Sequence, residues 1–188
     1  MFCHPIPRHI NRITVPSCEE CRRAGESDET LLRNIFVSTR ESEQNPNAAK
    51  LAAKRDRSFE RRFTEMEKVM RHMVLANVPT KDGKVTAWGF DMNTPVMDRF
   101  VLRVSRSLLH KETKCGYVDC EVSWALNPDE ETQRELVAIA KRCYVSEEFA
   151  YCGLFAEGET NSGWLFALYG GSIIFLASLF ERGNPPTA

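Results

Sequence analysis

The sequence predicts an α+β fold, with a helix-rich middle followed by a mixed or antiparallel sheet in the C-terminal half. Three observations predict it. Ala48 to about Val74 holds neither Gly nor Pro, and its apolar positions Phe59, Phe63, Met66, Met70 and Met73 follow steps of four, three, four and three, the period of one helical face. Thr94-Pro95 sets a cap before Pro at a first helical turn, with Met97, Val101, Val104 and Leu108 on one side. From Tyr117 onward, short alternating and aromatic-rich runs take over, the pattern of strands. With 188 residues, 43% of them hydrophobic, the chain can bury one core, and it contains no internal repeat.

In chain order, Met1 to Arg23 carries Cys3, His4, His9, Cys18 and Cys21 with three prolines, too few apolar residues for a core of its own. This head must lean on the rest of the chain or on a metal, so the expected division is a head over residues 1–40 and an α+β body over 41–188. Ser27-Asp28-Glu29-Thr30 offers N-cap chemistry to a helix bearing Leu31, Leu32, Ile35 and Phe36. Ser42 to Asn47, containing Pro46, reads as a turn. On the long helix that follows, Lys50, Lys54, Arg57, Arg61 and Lys68 fall almost opposite the apolar face, provided that the helix is unbroken.

Val74 to Val78, the turn Lys81-Asp82-Gly83-Lys84 and Val85 to Phe90 form a hairpin, because Asp-Gly supplies the positive φ such turns require. The helix opened by Thr94-Pro95 carries a second basic ridge, Arg99, Arg103, Arg106 and His110, and ends by Gly116. Tyr117 to Leu126 is a strand. Asn127-Pro128-Asp129-Glu130 caps a further helix to about Arg142, with acidic residues in its first turn and Lys141 and Arg142 in its last.

Ser162 to Phe180 contains no charged residue and reaches the lower range of a membrane-spanning helix. Gly170-Gly171 divides it into Trp164 to Tyr169 and Ser172 to Phe180, each the length of a strand. The flanking Glu157, Glu159, Glu181 and Arg182 give no positive-inside bias. The expectation is therefore two buried strands and no membrane partner, with a membrane-attached protein held by 162–180 as the rival class.

Charge and cysteine content narrow the function. Twenty-five Lys and Arg against 26 Asp and Glu leave a net charge of -1, so any nucleic-acid contact must come from a local patch. The first residues hold no signal-peptide run, which points to the cytoplasm and to thiols that are reduced or metal-bound. Cys115, Cys120, Cys143 and Cys152 read as packed core thiols. Cys18-Glu19-Glu20-Cys21 can supply two ligands in a zinc-knuckle turn, half of a tetrahedral site, or can be two ordinary turn cysteines. No Gly-rich phosphate loop, G-x-S-x-G or H-E-x-x-H is present, which leaves nucleotide hydrolysis, serine hydrolase and zincin chemistry without support.

His4-Pro5-Ile6-Pro7-Arg8, followed by Val15-Pro16-Ser17-Cys18-Glu19-Glu20-Cys21 and Ser27-Asp28-Glu29, resembles the head of bacterial HNH-type endonuclease-like proteins. The likeness runs more loosely through the charged helix, the helix with Arg106 and the ending Trp164 to Gly171. It implies a ββα-metal unit in which His4 is the general base toward water, a divalent ion such as Mg stabilises the phosphoryl oxygens, and Cys18 and Cys21 form half of a structural zinc knuckle. The sequence departs from that pattern. Only three residues precede His4, so the upstream Cys pair is missing; Cys3 stands where an acidic residue is usual, and Arg22 where Asn commonly follows. Cys3, His4 and His9 could instead join Cys18 and Cys21 around zinc, but His4 would then be a ligand and not a base.

Two functions fit the resemblance: a metal-dependent endonuclease whose head starts too late in this sequence, or a degenerate, non-catalytic module for nucleic acid, DNA ahead of RNA, or for a protein partner. In either case Lys50, Lys54, Arg57 and Arg61, with Arg99, Arg103 and Arg106, are the candidates to follow a phosphate backbone. The competing reading is a solvated helix face, which the neighbouring Asp56, Glu60, Glu65 and Glu67 favour.

Overall fold

A computed structural model describes residues 19–39, 42, 45–80, 83–115, 119–146, 149–156 and 159–182. The fold is α+β, with an antiparallel five-stranded sheet in the C-terminal half and a separate two-stranded sheet before it.

Helix α1 is described from Glu19 to Phe36. Ser27 to Thr30 therefore lies inside it and not at its start. The earlier onset is supported by acidic Glu19 and Glu20 in the first turn and by Arg22 and Arg23, which pair with Glu19 one turn away. Leu32, Ile35 and Phe36 enter the core shared with the rest of the chain.

Helix α2, Pro46–Arg61, starts at Asn45, whose side-chain oxygen accepts from the backbone N–H groups of Asn47 and Ala48 at 2.9 and 3.1 Å. The single helix expected through Val74 is not formed. Arg62 leaves helical geometry (φ -140°, ψ 86°), α3 restarts over Phe63–Met70, and Met73 already belongs to a strand. The break lets each piece choose its own buried side: Ala48 and Leu51 on α2, Val69 on α3. Phe63 and Met70, read as part of the inward face, are exposed.

The hairpin is present as β1, Met73–Thr80, and β2, Gly83–Phe90, paired antiparallel from Met73 opposite Phe90 to Thr80 opposite Gly83. Gly83 has φ 131°, which an L side chain adopts poorly. Helix α4, Pro95–Thr113, buries Met97, Val101, Val104 and Leu108 as their spacing predicts, with Phe100, Ser105 and Leu109 beside them. It ends on Lys114 in the left-handed conformation (φ 59°), ahead of Gly116.

The larger sheet has the order β3-β7-β6-β5-β4, from β3 (Cys120–Leu126), β4 (Arg142–Val145), β5 (Phe149–Phe155), β6 (Ser162–Leu168) and β7 (Ile173–Glu181). Between β3 and β4 lies α5, Glu130–Ile139. Asp129 caps it, its carboxylate accepting from the Thr132 backbone N–H at 2.8 Å; that bond, then the Thr132 hydroxyl, holds its pKa below the ordinary value. The helix stops well before Arg142. Ala140 turns extended, the Lys141 N–H joins Gly153 O at 2.9 Å, and Arg142 opens β4, so these two cations do not sit in the last turn.

The uncharged run is the β6–β7 hairpin, turned by a single 3-10 turn over Tyr169–Gly171, with Gly170 and Gly171 both at positive φ. Among the described residues no helix is long and apolar enough to cross a membrane. Alternate residues of β6 and β7 face the core: Trp164, Phe166, Phe175 and Ala177 are fully or almost fully buried. Phe36 of α1, Phe100 of α4 and Phe175 meet edge to face at 5.9 to 6.0 Å, and Phe166 stacks on Phe175 at 5.0 Å. Helix α1 and the sheet thus close on one core through α4.

Cys143 and Cys152, expected as reduced core thiols, form a disulfide. They face each other directly across β4 and β5 with Cα atoms 4.2 Å apart, and Cys143 is exposed at the sheet edge. Strand register, invisible in their spacing, is what brings them together.

Candidate nucleic-acid interface

Of the head residues assigned a role in zinc binding or catalysis, Cys3, His4, His9 and Cys18 lie outside the described residues. Cys21 is exposed in the N-terminal part of α1, where Glu19, Glu20 and Cys21 are helical. Among the described residues no group of three or more His, Cys, Asp or Glu side chains converges in a way that could hold a metal ion.

The two basic ridges separate sharply. On α2, Lys50, Lys54, Arg57 and Arg61 are all exposed, and none forms an ion pair among the described residues. At 100° per residue they lie within about 60° of one another, and roughly opposite Ala48, Ala52 and Phe59, which pack on the core. The break at Arg62 falls after the last of them, so it costs the stripe only Lys68, which pairs with Glu65 at 2.9 Å. Arg55, on another side of α2, is not part of the stripe. Its guanidinium donates to Val37 O at 3.1 Å and Ser38 Oγ at 2.6 Å and pairs with Asp56, fastening α2 to the end of α1. Asp56, counted as a neutraliser of the stripe, is thereby occupied.

The α4 ridge, by contrast, makes contacts within the fold, with Arg99 still exposed and Arg103, Arg106 and His110 half-buried. Arg99 donates two hydrogen bonds to the Asp28 carboxylate, at 2.8 and 2.9 Å, and this bonding raises its pKa further above the ordinary arginine value. Arg103 reaches the same carboxylate at 3.9 Å, its guanidinium lying against buried Gly25 of α1. Arg106 donates to the Cys120 carbonyl at 3.1 Å and sulfur at 3.0 Å, and His110 Nδ1 lies 2.6 Å from the Cys115 carbonyl. These side chains join α4 to α1 and to the entry of β3.

One polar cluster has no signal in the sequence. At the end of α4, the Tyr151 phenol donates to Glu112 and accepts from Lys111 Nζ at 2.5 Å, while Lys111 lies 4.8 and 4.7 Å from the centres of the stacked Tyr144 and Tyr151 rings. Arg142 Nε stands 4.0 Å from Glu112. Burial, then the Glu112 carboxylate, pushes the Tyr151 pKa up, so the phenol is a neutral donor near pH 7 and not a base. Every group in the cluster is answered by another, which makes it a clasp between α4 and the β4–β5 edge. A shallow groove of about 290 Å³ between α2 and the end of α1 is lined by Val37, Ser42, four α2 alanines and Asp56, and offers no catalytic constellation.

The exposed α2 stripe is thus a set of four cations with no ion-pair partner among the described residues. Comparison with known proteins returns no match: no family model, no curated protein and no solved structure corresponds to this chain, and the likeness to HNH-type endonucleases rests on the head residues quoted above.

Proposed function

We propose that this chain is an HNH-related nucleic-acid-binding protein that lays α2 along a phosphate backbone. The observation that carries the reading is the stripe Lys50, Lys54, Arg57 and Arg61: four exposed cations on one side of a helix whose opposite side is anchored in the core, with no carboxylate paired to any of them among the described residues. From first to last they span about 16 Å, close to five base-pair rises, and a preformed helix presents them without a backbone ordering cost at the moment of binding. The near-neutral net charge requires any such contact to come from a local patch, which this stripe supplies.

Duplex DNA binding, followed by fluorescence anisotropy over a salt series, tests it. Each phosphate neutralised contributes close to -0.9 to the slope of log K against log salt, so the stripe accounts for a slope of up to about -3.6. Replacing all four residues with Gln is expected to remove most of the affinity and to flatten the slope. Binding indifferent to salt, or a quadruple variant that binds like the parent, overturns the assignment; the same titration on single-stranded and duplex RNA ranks the substrates.

The endonuclease form of the proposal adds His4 as base and Cys18 and Cys21 as zinc ligands. Cleavage with added Mg, compared between the parent and His4→Ala, tests the first. Zinc content compared with Cys18→Ser tests the second. Equal cleavage by His4→Ala removes that role and leaves the binding stripe standing.

A further inference from the structure

We infer that the β1–β2 ribbon is a self-association surface whose occupant is the same ribbon of a second copy of this chain. Within the described residues its extensive packing is between its own two strands, and its root is tied by the Asp91 N–H to His72 O at 2.7 Å. A two-stranded ribbon standing alone is at best marginally stable in water. This one is also apolar on both faces. Leu75 and Trp88, directly opposed in register, are 61% and 67% exposed on one face; Val78 and Val85, also opposed, are exposed with Val74 on the other.

Leu75 and Trp88 on one face, and Val74, Val78 and Val85 on the other, each present on the order of 200–300 Å² of apolar surface, close to the lower end of the largest patch an ordinary monomer shows. The backbone points the same way. The Asp91-to-His72 bond fixes the alternation of the ladder, so the N–H groups of Thr86, Trp88 and Phe90 face the open edge of β2. No proline interrupts β2. Two such edges, antiparallel about a two-fold axis, would make a four-stranded sheet.

Charge selects the second copy over other occupants. A two-fold interface sets residues next to its axis against their own copies, and this shaft has no charged residue from Met73 to Thr80 or from Val85 to Phe90, so no like charges meet there. Lys84 lies at the tip, where antiparallel pairing of β2 strands carries the two copies to opposite ends. A nucleic acid would require cations along the ribbon, and they are absent from it. The inference does not depend on the α2 stripe.

Sedimentation equilibrium of the full chain across micromolar concentrations tests it. The parent is expected to show a monomer–dimer equilibrium. Trp88→Lys and Val85→Lys, one on each face, are each expected to weaken the dimer at least tenfold while leaving the far-ultraviolet circular dichroism unchanged, since neither side chain is in the core. Val145→Lys, at an exposed apolar position on β4, is the control and should dimerise like the parent. Hydrogen exchange at Thr86 and Trp88 should slow as concentration rises. A parent that stays monomeric, ribbon variants that assemble like the parent, a control that weakens assembly as much as they do, or exchange at these amides that ignores concentration would each overturn the proposal.

Discussion

Gly153 of β5 lies directly opposite Trp164 of β6, and the indole occupies the space that a side chain at 153 would need. A Cβ there would come within 2.7 Å of Cε3 and 2.9 Å of Cη2 of a fully buried ring that has nowhere to retreat. Gly153→Ala is expected to destabilise the protein by roughly 3 kcal/mol in urea unfolding. Gly163→Ala is the comparison, because its nearest neighbour would be Leu154 Cβ at 4.0 Å, an ordinary contact. Equal stability of the two variants would mean that Trp164 does not fill this space.

Gly25 and Arg103 make a second close approach, between α1 and α4, but here the obstructing group is the end of a flexible side chain. A Cβ on Gly25 would overlap the guanidinium and lie 3.0 Å from its Cζ. Alanine is worth about 1 kcal/mol more than glycine inside a helix, so Gly25→Ala should show that gain in an Arg103→Ala background and lose it in the parent. A double-mutant cycle with zero coupling would show that the guanidinium does not rest on Gly25.

How much of this was legible depended on the range of the interaction. The β1–β2 and β6–β7 hairpins, α4 and the α5 cap are declared by residues a few positions apart: Gly83, Gly170-Gly171, Thr94-Pro95 and Asp129 with Thr132. The break at Arg62 is declared by nothing, since neither Gly nor Pro marks it and the apolar period runs straight through. It follows from which sides of α2 and α3 the core accepts. The two basic ridges look alike as helical spacings, yet Arg99 meets Asp28 across 71 positions and is spent there, while the α2 stripe meets no one among the described residues. Tertiary partners decide which cations remain available. The clasp of Lys111, Glu112 and Tyr151 and the Cys143–Cys152 bond were out of reach for the same reason, because strand register makes them.

The Cys143–Cys152 bridge closes a loop of nine positions across the edge strand of the sheet. For a loop of that size, restricting the unfolded chain stabilises the fold by about 2–3 kcal/mol in the chain-entropy model. Adding reductant to the parent is expected to lower its unfolding midpoint. The Cys143→Ser/Cys152→Ser variant should start at that lower value and not respond. Thiol titration of the unfolded, unreduced parent provides a direct count, and recovery of both thiols would contradict the bridge.

Tyr151 links stability to alkaline pH. Its phenol is held protonated by burial, then by the Glu112 carboxylate that accepts its proton, so its folded pKa lies above the ordinary value of about 10. An unfolded chain releases that proton once the pH passes about 10, whereas the folded chain retains it; between the two pKa values the unfolded state binds fewer protons and stability falls as pH rises. The contribution is complete below pH 10 and is lost upward through the folded pKa. Urea unfolding from pH 8 to 11 should therefore show a loss of stability that is shallower in Tyr151→Phe, which has no proton to release at this position. Tyr151→Phe also leaves Glu112 with Lys111 at 3.7 Å and Arg142 as its cationic neighbours, so the variant should be less stable than the parent at pH 8 by about 1 kcal/mol. Parallel pH profiles for the two proteins would place the Tyr151 phenol in water and dissolve the clasp.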